Sequence, residues 1–255
     1  MSATIPLTWN SYLQQVAAMM VVQTTTVNGL VSGVDADTNT IIPQALQYAE
    51  LRIQRDLDLL AARASKSYIM ASGTNQLTLL ASDFIAVETM MVNNGINTTA
   101  VLPTSVEFLQ NVYGDSSSTG VPIYFAMYGG DILSGGNTSS YIQYGPYCSG
   151  NYTALLTGFV RLPSLFSFAS AALAASGTTW ISTYLPDLLI QASMIYVSEF
   201  QRNFSAVSND PQMPGIYEQQ YQSLLGGAKS ENSRSKFESS AWTSKSVPAN
   251  ATQNR

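Results

Sequence analysis

Histidine is absent from this chain of 255 residues, and cysteine occurs once, at Cys148. Those two gaps exclude the Ser-His-Asp and Cys-His nucleophile systems, His-ligated zinc and haem, and Cys-cluster metal sites. A glycosidase-style carboxylate pair, a Ser-Lys pair or an oxygen-ligated calcium site stays open, since each needs only residues that the chain has. A lone cysteine forms no disulfide within the chain, so a small stapled scaffold is excluded. Charge is scarce as well: Asp, Glu, Lys and Arg make up 11% of residues, against about 25% in an average soluble domain. Hydrophobic residues reach 45%, so the deficit is filled by uncharged polar side chains: 32 Ser, 22 Thr, 15 Asn and 16 Gln. There is ample apolar material for a core, and disorder through charge is excluded.

Long hydrophobic runs are missing too. Met1 is followed by SATIPLTWN, without a basic region or an apolar run, so no secretory signal is expected. The most apolar stretch, Ala154 to Ala175, is interrupted by Arg161, Pro163 and several serines, whereas a spanning helix needs about 20 predominantly apolar residues. It reads instead as a strand ending near Leu162 and then an apolar loop, LPSLFSFASAALAASG. A monomer rarely leaves such a loop uncovered, so Leu165, Phe166 and Phe168 are candidates for contact with another subunit or a further component.

The charge that is present is unevenly placed. Residues 1–228 hold 6 Lys+Arg against 14 Asp+Glu, and residues 229–255 hold 5 against 2, so an acidic body of −8 is followed by a basic tail of +3. The tail is rich in Ser and Asn and poor in aliphatics, so alone it buries too little to offset its ordering entropy. Its Phe237, Trp242 and Val247 are spaced five apart, as in a peptide that anchors at points on another surface. Together with Lys229, Arg234, Lys236, Lys245 and Arg255 they read as a docking peptide for an acidic partner, with nucleic acid as the competing partner through a channel contact.

Helical spacing marks Thr8 to about Val22, with Leu13, Val16, Ala17 and Met20 on one face. The clearest amphipathic helix begins after Thr40, with Pro43 in its first turn and Ile42, Leu46, Ala49, Ile53, Leu57 and Leu60 stepping by three or four. From Lys66 to about Leu162 the pattern changes to short β-branched and aromatic runs, at 76–79, 86–92, 121–128, 141–144 and 152–160, separated by turn residues. One helix interrupts them, capped by Thr104 with Glu107 at the capping-box position and Gly114 as its stop. Helical spacing returns at Thr178, with a cap at Thr183 and Pro186 in the first turn, and again after SNDPQMPG with Ile216, Tyr217, Tyr221, Leu224 and Leu225. The fold class is therefore α+β. Residues 1–64 and 178–228 form a helical bundle, residues 65–177 a small antiparallel β-rich insert with the apolar loop, and residues 229–255 an extended C-terminal tail.

Candidate chemistry is sparse. Asp56 and Asp58, near Glu50, Arg52 and Arg55, read as a solvated helix face rather than a metal or catalytic cluster. The stretch VDADTNT, with Asp35 and Asp37, lacks the glycine and the bidentate glutamate of a calcium loop. No catalytic residue, cofactor or metal is expected. Tyr124, Tyr128, Tyr141, Tyr144, Tyr147 and Tyr152 crowd the sheet, but with few cations nearby they suit packing better than a nucleic-acid platform.

Several stretches resemble the head-to-tail adaptor proteins of tailed bacteriophages, most of all those of short-tailed phages. They are IIPQALQYAELRIQRDLDLLAARA (Ile41 to Ala64), LASDFIAVETMMVNNG (Leu80 to Gly95), GVPIYFAMYGGDIL (Gly120 to Leu133), TTWISTYLPDLLIQAS (Thr178 to Ser193) and YEQQYQSLLGGAKSENSRSKFES (Tyr217 to Ser239). The likeness departs at Ala81, where a proline is expected, and at the apolar insertion 166–177. It implies a structural, non-enzymatic protein of the virion neck, assembled in the host cytoplasm as a ring of twelve copies below the portal. Its partners would be the portal protein, a tail nozzle or tube protein, and its own copies, with genomic DNA passing through the channel without sequence-specific binding and no membrane contact. The tail residues Lys229, Arg234, Lys236, Phe237, Trp242 and Lys245 would meet the portal. Two other classes stay in view: a carboxylate-dependent glycan hydrolase using Glu88 or Glu107, and a carbohydrate-binding tail module using the tyrosines.

Overall fold

Proline fixes its own φ and lacks an N–H, so it suits the first position of a helix. Pro186 stands there at the start of α5 (Pro186–Phe204), the helix around which the first of two units is built. The structure is a computed structural model describing residues 6–33, 36–80, 84–129, 140–204 and 213–239. Its two compact units are residues 1–60 with 162–255, and residues 61–161. The fold is α+β.

In the first unit α5 packs against α1 (Trp9–Met19), α2 (Ala36–Asp56), α4 (Trp180–Tyr184) and α6 (Met213–Ser239). Leu188, Leu189, Ala192, Met194, Ile195 and Val197 are all buried, and a helix apolar on most sides is a central helix. α2 presents Ile42, Leu46, Ala49 and Ile53 to it, the stripe expected from the sequence. Two boundaries differ from expectation. α2 starts before Pro43, which it carries inside at the cost of one backbone hydrogen bond, because Asn39 is tied to the preceding strand by its side chain. Thr183, expected at the start of the helix with Pro186, lies instead inside the separate short α4, which Thr179 caps in a capping box with Ser182. A hairpin of β1 (Thr24–Val27) and β2 (Leu30–Gly33) turns at Asn28-Gly29, both at positive φ, as a two-residue hairpin turn requires.

The second unit is a seven-stranded sheet with the order β3-β11-β5-β6-β8-β9-β4. Its strands are β3 (Arg63–Met70), β4 (Gln76–Leu79), β5 (Ala86–Asn93), β6 (Thr98–Pro103), β8 (Tyr124–Gly129), β9 (Ser140–Gly145) and β11 (Tyr152–Phe159). Along β11 the side chains alternate, with Ala154 and Leu156 inside and Thr153 and Leu155 outside. The inner residues join Met70, Leu79, Met90, Val92, Phe125 and Ile142 in one apolar cluster. The sheet is mixed rather than wholly antiparallel, because β6 and β8 run parallel. The cause is α3 (Val106–Tyr113), a crossover that returns the chain in the same direction. Ser105 caps it, one residue later than expected, and Gly114 closes it. A second parallel pair joins β7 (Thr119–Gly120) to β10 (Tyr147–Cys148). At Gly158 β11 shifts register, and a Cβ there would lie 2.2 Å from the Ala86 carbonyl oxygen, so the bulge admits only glycine.

Two expected boundaries are corrected by the packing. Residues 162–177 belong to the first unit and not to the β-rich insert, because Leu165 is buried there and bonded to Glu50. The tail is not extended from residue 229, because α6 continues to Ser239.

Candidate functional site

A continuous face explains why α6 outlasts its glycines. Tyr221, Leu225 and Ala228 are buried at helical spacing, and the same face continues with half-buried Asn232 and Lys236. Apolar anchors thus give way to polar ones in the basic segment. Asn232 Nδ2 donates to the Asp58 carbonyl at 2.7 Å, and Lys236 Nζ pairs with the Asp58 carboxylate. An exposed pair of this kind contributes about 1 kcal/mol or less. The distal turns are therefore held lightly.

The proximal turns are held harder. Arg52 of α2 reaches Glu218 Oε1 at 2.6 Å, lies 4.4 Å over the Tyr221 ring, and approaches Asp56 at 3.7 Å. Tyr221 Oη donates to Asp56 Oδ2 at 2.7 Å. The Arg52 guanidinium holds the Glu218 carboxyl below its usual range, while burial, then the Asp56 hydrogen bond, pushes the Tyr221 hydroxyl up. Of the acidic residues read from the sequence as a solvated face, Asp56 and Asp58 are thus partners of α6, although the Asp58 carboxylate stays exposed. Their signal was obscured because each lies some 165 residues or more from its partner. Beside this seam a groove of about 270 Å³ lies between α5 and α6, floored by Leu188, Leu224 and Ala228 and rimmed by Asp187 and Glu231.

Of the expected docking residues, Lys229 and Arg234 are exposed on α6, with Arg234 on the side opposite the seam. Lys236 meets Asp58 of its own chain. Phe237 is in the last turn, its side chain outside the described ones, and Trp242, Lys245, Val247 and Arg255 lie outside the described residues.

The apolar loop divides in two. Leu165 is fully buried and donates its N–H to Glu50 Oε1 at 2.8 Å, so it plugs its own unit rather than facing a neighbour. Phe166 stays exposed, its ring edge-on to Trp9 at 5.5 Å, and Phe168 is half-buried over Gly177. Glu50 is nearly buried, and burial pushes its carboxyl up against the opposing hydrogen bonds from Leu165 and Ser164. Beside it, the Tyr12 hydroxyl is fully buried, and burial pushes it up against an opposing hydrogen bond with the Ser193 side chain.

The residues kept for the other readings have local roles. Glu88 pairs with Arg63 at 2.5 Å. Glu107 is fully exposed in the first turn of α3, where the free backbone N–H groups and Ser105 pull its carboxyl down, opposite to what a general acid needs. Asp37 is in the first turn of α2, so its stretch is a helix start rather than a calcium loop, and Asp35 lies outside the described residues. Among the described residues no three His, Cys, Asp or Glu gather as a metal would need. Tyr144 is buried in the β-unit with its hydroxyl 2.7 Å from Thr74 Oγ1, Tyr124 packs edge-on to Phe108 at 5.3 Å, and Tyr128 stacks on Tyr141 at 5.5 Å. Cys148 is buried, and burial pushes its thiol up. No described helix is long and apolar enough to cross a membrane.

The family described as SU10 adaptor protein matches residues 13–245, and the chain belongs to that family of phage head–tail adaptors. No curated protein matches the chain. Membership makes it a structural protein of the virion neck, whose partners are portal and tail components.

Proposed function

We propose that the chain forms a ring below the portal of a short-tailed phage, twelve copies strong, which extends the DNA channel and offers an attachment site to the next tail component without catalysing a reaction. The family match over residues 13–245 carries this reading. The C-terminal segment is its portal contact. α6 brings the chain to Ser239 in helical form, and the sixteen residues beyond it carry Trp242, Lys245 and Arg255 and no acid. Cations steer the approach and the indole anchors it in an apolar cleft. The Lys236–Asp58 pair is weak enough to be exchanged for an acidic group of the portal. Phe166, exposed beside Trp9, is the proposed contact for a neighbouring subunit or tail component.

The seam on α2 dictates where a truncation should fall. Cutting after Gly227 removes Ala228, Asn232 and Lys236 and so unseats the helix. Cutting after Ser239 leaves every described contact of α6 in place. Sedimentation of the purified portal with the full chain and with the chain ending at Ser239 is the test. Co-sedimentation of the full chain alone is expected, and equal binding by both would overturn the tail-docking assignment.

A further inference from the structure

We infer that the ring closes by strand pairing between copies: the free edge of β1 in one copy joins the free edge of β4 in the next. The inference rests on the ring reading above and supplies the contact that the ring needs.

The hairpin has two edges, and only one is sealed. On β2 asparagine side chains take three of the four outward backbone groups, and the turn carbonyl before them. Asn10 accepts from Val31 N–H at 3.0 Å and donates to the Gly29 carbonyl at 2.7 Å, while Asn39 accepts from Gly33 N–H at 2.8 Å and donates to its carbonyl at 2.9 Å. The register pairs Thr26 with Val31 and Thr24 with Gly33. Paired residues of an antiparallel ladder turn their backbone groups the same way, inward or outward. Thr24 and Thr26 therefore turn theirs away from β2. Among the described residues nothing bonds those groups.

β4 has the same arrangement at the end of the seven-stranded sheet. The bond from Tyr144 N–H to the Asn75 carbonyl, 2.9 Å, sets the phase, so Leu77 and Leu79 bond β9 while Gln76 and Thr78 turn their backbone groups outward. No described residue bonds those groups either. Each edge thus offers two donor-acceptor residues two positions apart, on strands of four residues, TTTV and QLTL.

Natural edges are blocked by lysine, proline, bulges or shortness. β3, at the other end of the large sheet, carries Arg63 and Lys66. β1 and β4 carry no charge, no proline and no bulge; shortness, at four residues each, is the one such device they have. Two neutral edges meet without stripping water from an ion. Exposed apolar side chains flank both, Val21 and Val27 beside β1 and Leu80 at the end of β4. Because the two edges differ, their pairing is head-to-tail, the kind of contact that repeats around a ring.

Proline at an outward N–H blocks a new partner but costs the strand's own ladder nothing. The test is native mass measurement of the full chain, of Thr26→Pro, of Thr78→Pro and of their equimolar mixture, with Thr26→Lys and Thr78→Lys as variants that keep the backbone. The parent chain is expected to form assemblies larger than a dimer, and each single variant to fall to the 27.5 kDa monomer. The mixture should stop at a one-to-one dimer, since each variant keeps the edge that the other lacks. A monomeric parent, variants that assemble like it, loss with only one of the two sites, or a mixture without the dimer would each overturn the pairing. Portal binding by the same samples, measured separately, shows whether the adaptor reading stands if the strand pairing fails.

Discussion

Val21 breaks a local rule in plain view. It follows α1 at the position where a helix end turns left-handed, with φ 59°, and the bonds Val21 N–H to Ala18 O and Val22 N–H to Ala17 O complete a Schellman closure. Glycine takes that conformation freely, whereas a β-branched residue is strained there and this one is also 92% exposed. Val21→Gly should raise the thermal midpoint by an amount worth about 1 kcal/mol, read by circular dichroism melting. Glu50 is the opposite case, a buried carboxylate with a structural task. Its folded-state pKa is raised, so the folded chain holds the proton more tightly than the unfolded chain does, and the stability this provides is full below the ordinary glutamate range and lost as pH rises through the folded value. Glu50→Gln keeps an acceptor for Leu165 N–H and should flatten the stability profile above that range, without loss at neutral pH. Glu50→Ala leaves the buried N–H unpaired and should cost about 1–3 kcal/mol. Melting curves from pH 4 to 8 for the three proteins check both statements.

Among the elements, those that show one strong period were legible in the sequence. α1, α2, α5 and the strands at 76–79, 86–93 and 152–159 follow their apolar spacing closely. β3 was not, because an edge strand needs only one good face and its RASKSYIM mixes charge with small residues. β6 escaped because it buries only Val101. The docking seam was hidden for another reason: Arg52, Asp56 and Asp58 look solvated until a helix distant in sequence covers them. Composition suggested an extended basic tail, but half-buried Asn232 and Lys236 continue the face of Ala228, and α6 runs through the first eleven tail residues. Gly226 and Gly227 lie inside that helix, and a Cβ on either would meet nothing within 4 Å. Close packing therefore does not require them. Gly226→Ala and Gly227→Ala should each stabilise α6 by about 0.5–1 kcal/mol, measured as a rise in midpoint on thermal or urea unfolding. A loss of stability on either change would show that the helix does not run through this pair as described.

At the scale of the whole chain, the scarcity of charge that marks the sequence takes on a structural sense. Few ions leave Ser, Thr, Asn and Gln on the exposed strands, and in the proposed ring those side chains would meet a neighbouring copy without the desolvation cost of burying charge. The −8 of residues 1–228 and the +3 of residues 229–255 are opposed, and part of the opposition is already spent within the chain, where Lys236 meets Asp58. What is left for a partner lies at Lys229 and Arg234 and in the segment beyond Ser239. The family could be recognised from the order of several stretches, none of them diagnostic alone; the match over residues 13–245 bears out the head–tail adaptor family, and the short-tailed type stays part of the proposal. The central claim is that this adaptor assembles as a ring on its portal through its C-terminal segment. Cryo-electron microscopy of the full chain mixed with its portal tests it most directly. The account predicts a closed ring of adaptor copies below the portal, with density for residues 240–255 running into clefts between portal subunits. Portal rings without adaptor, or an adaptor ring whose C-terminal segments turn away from the portal, would contradict it.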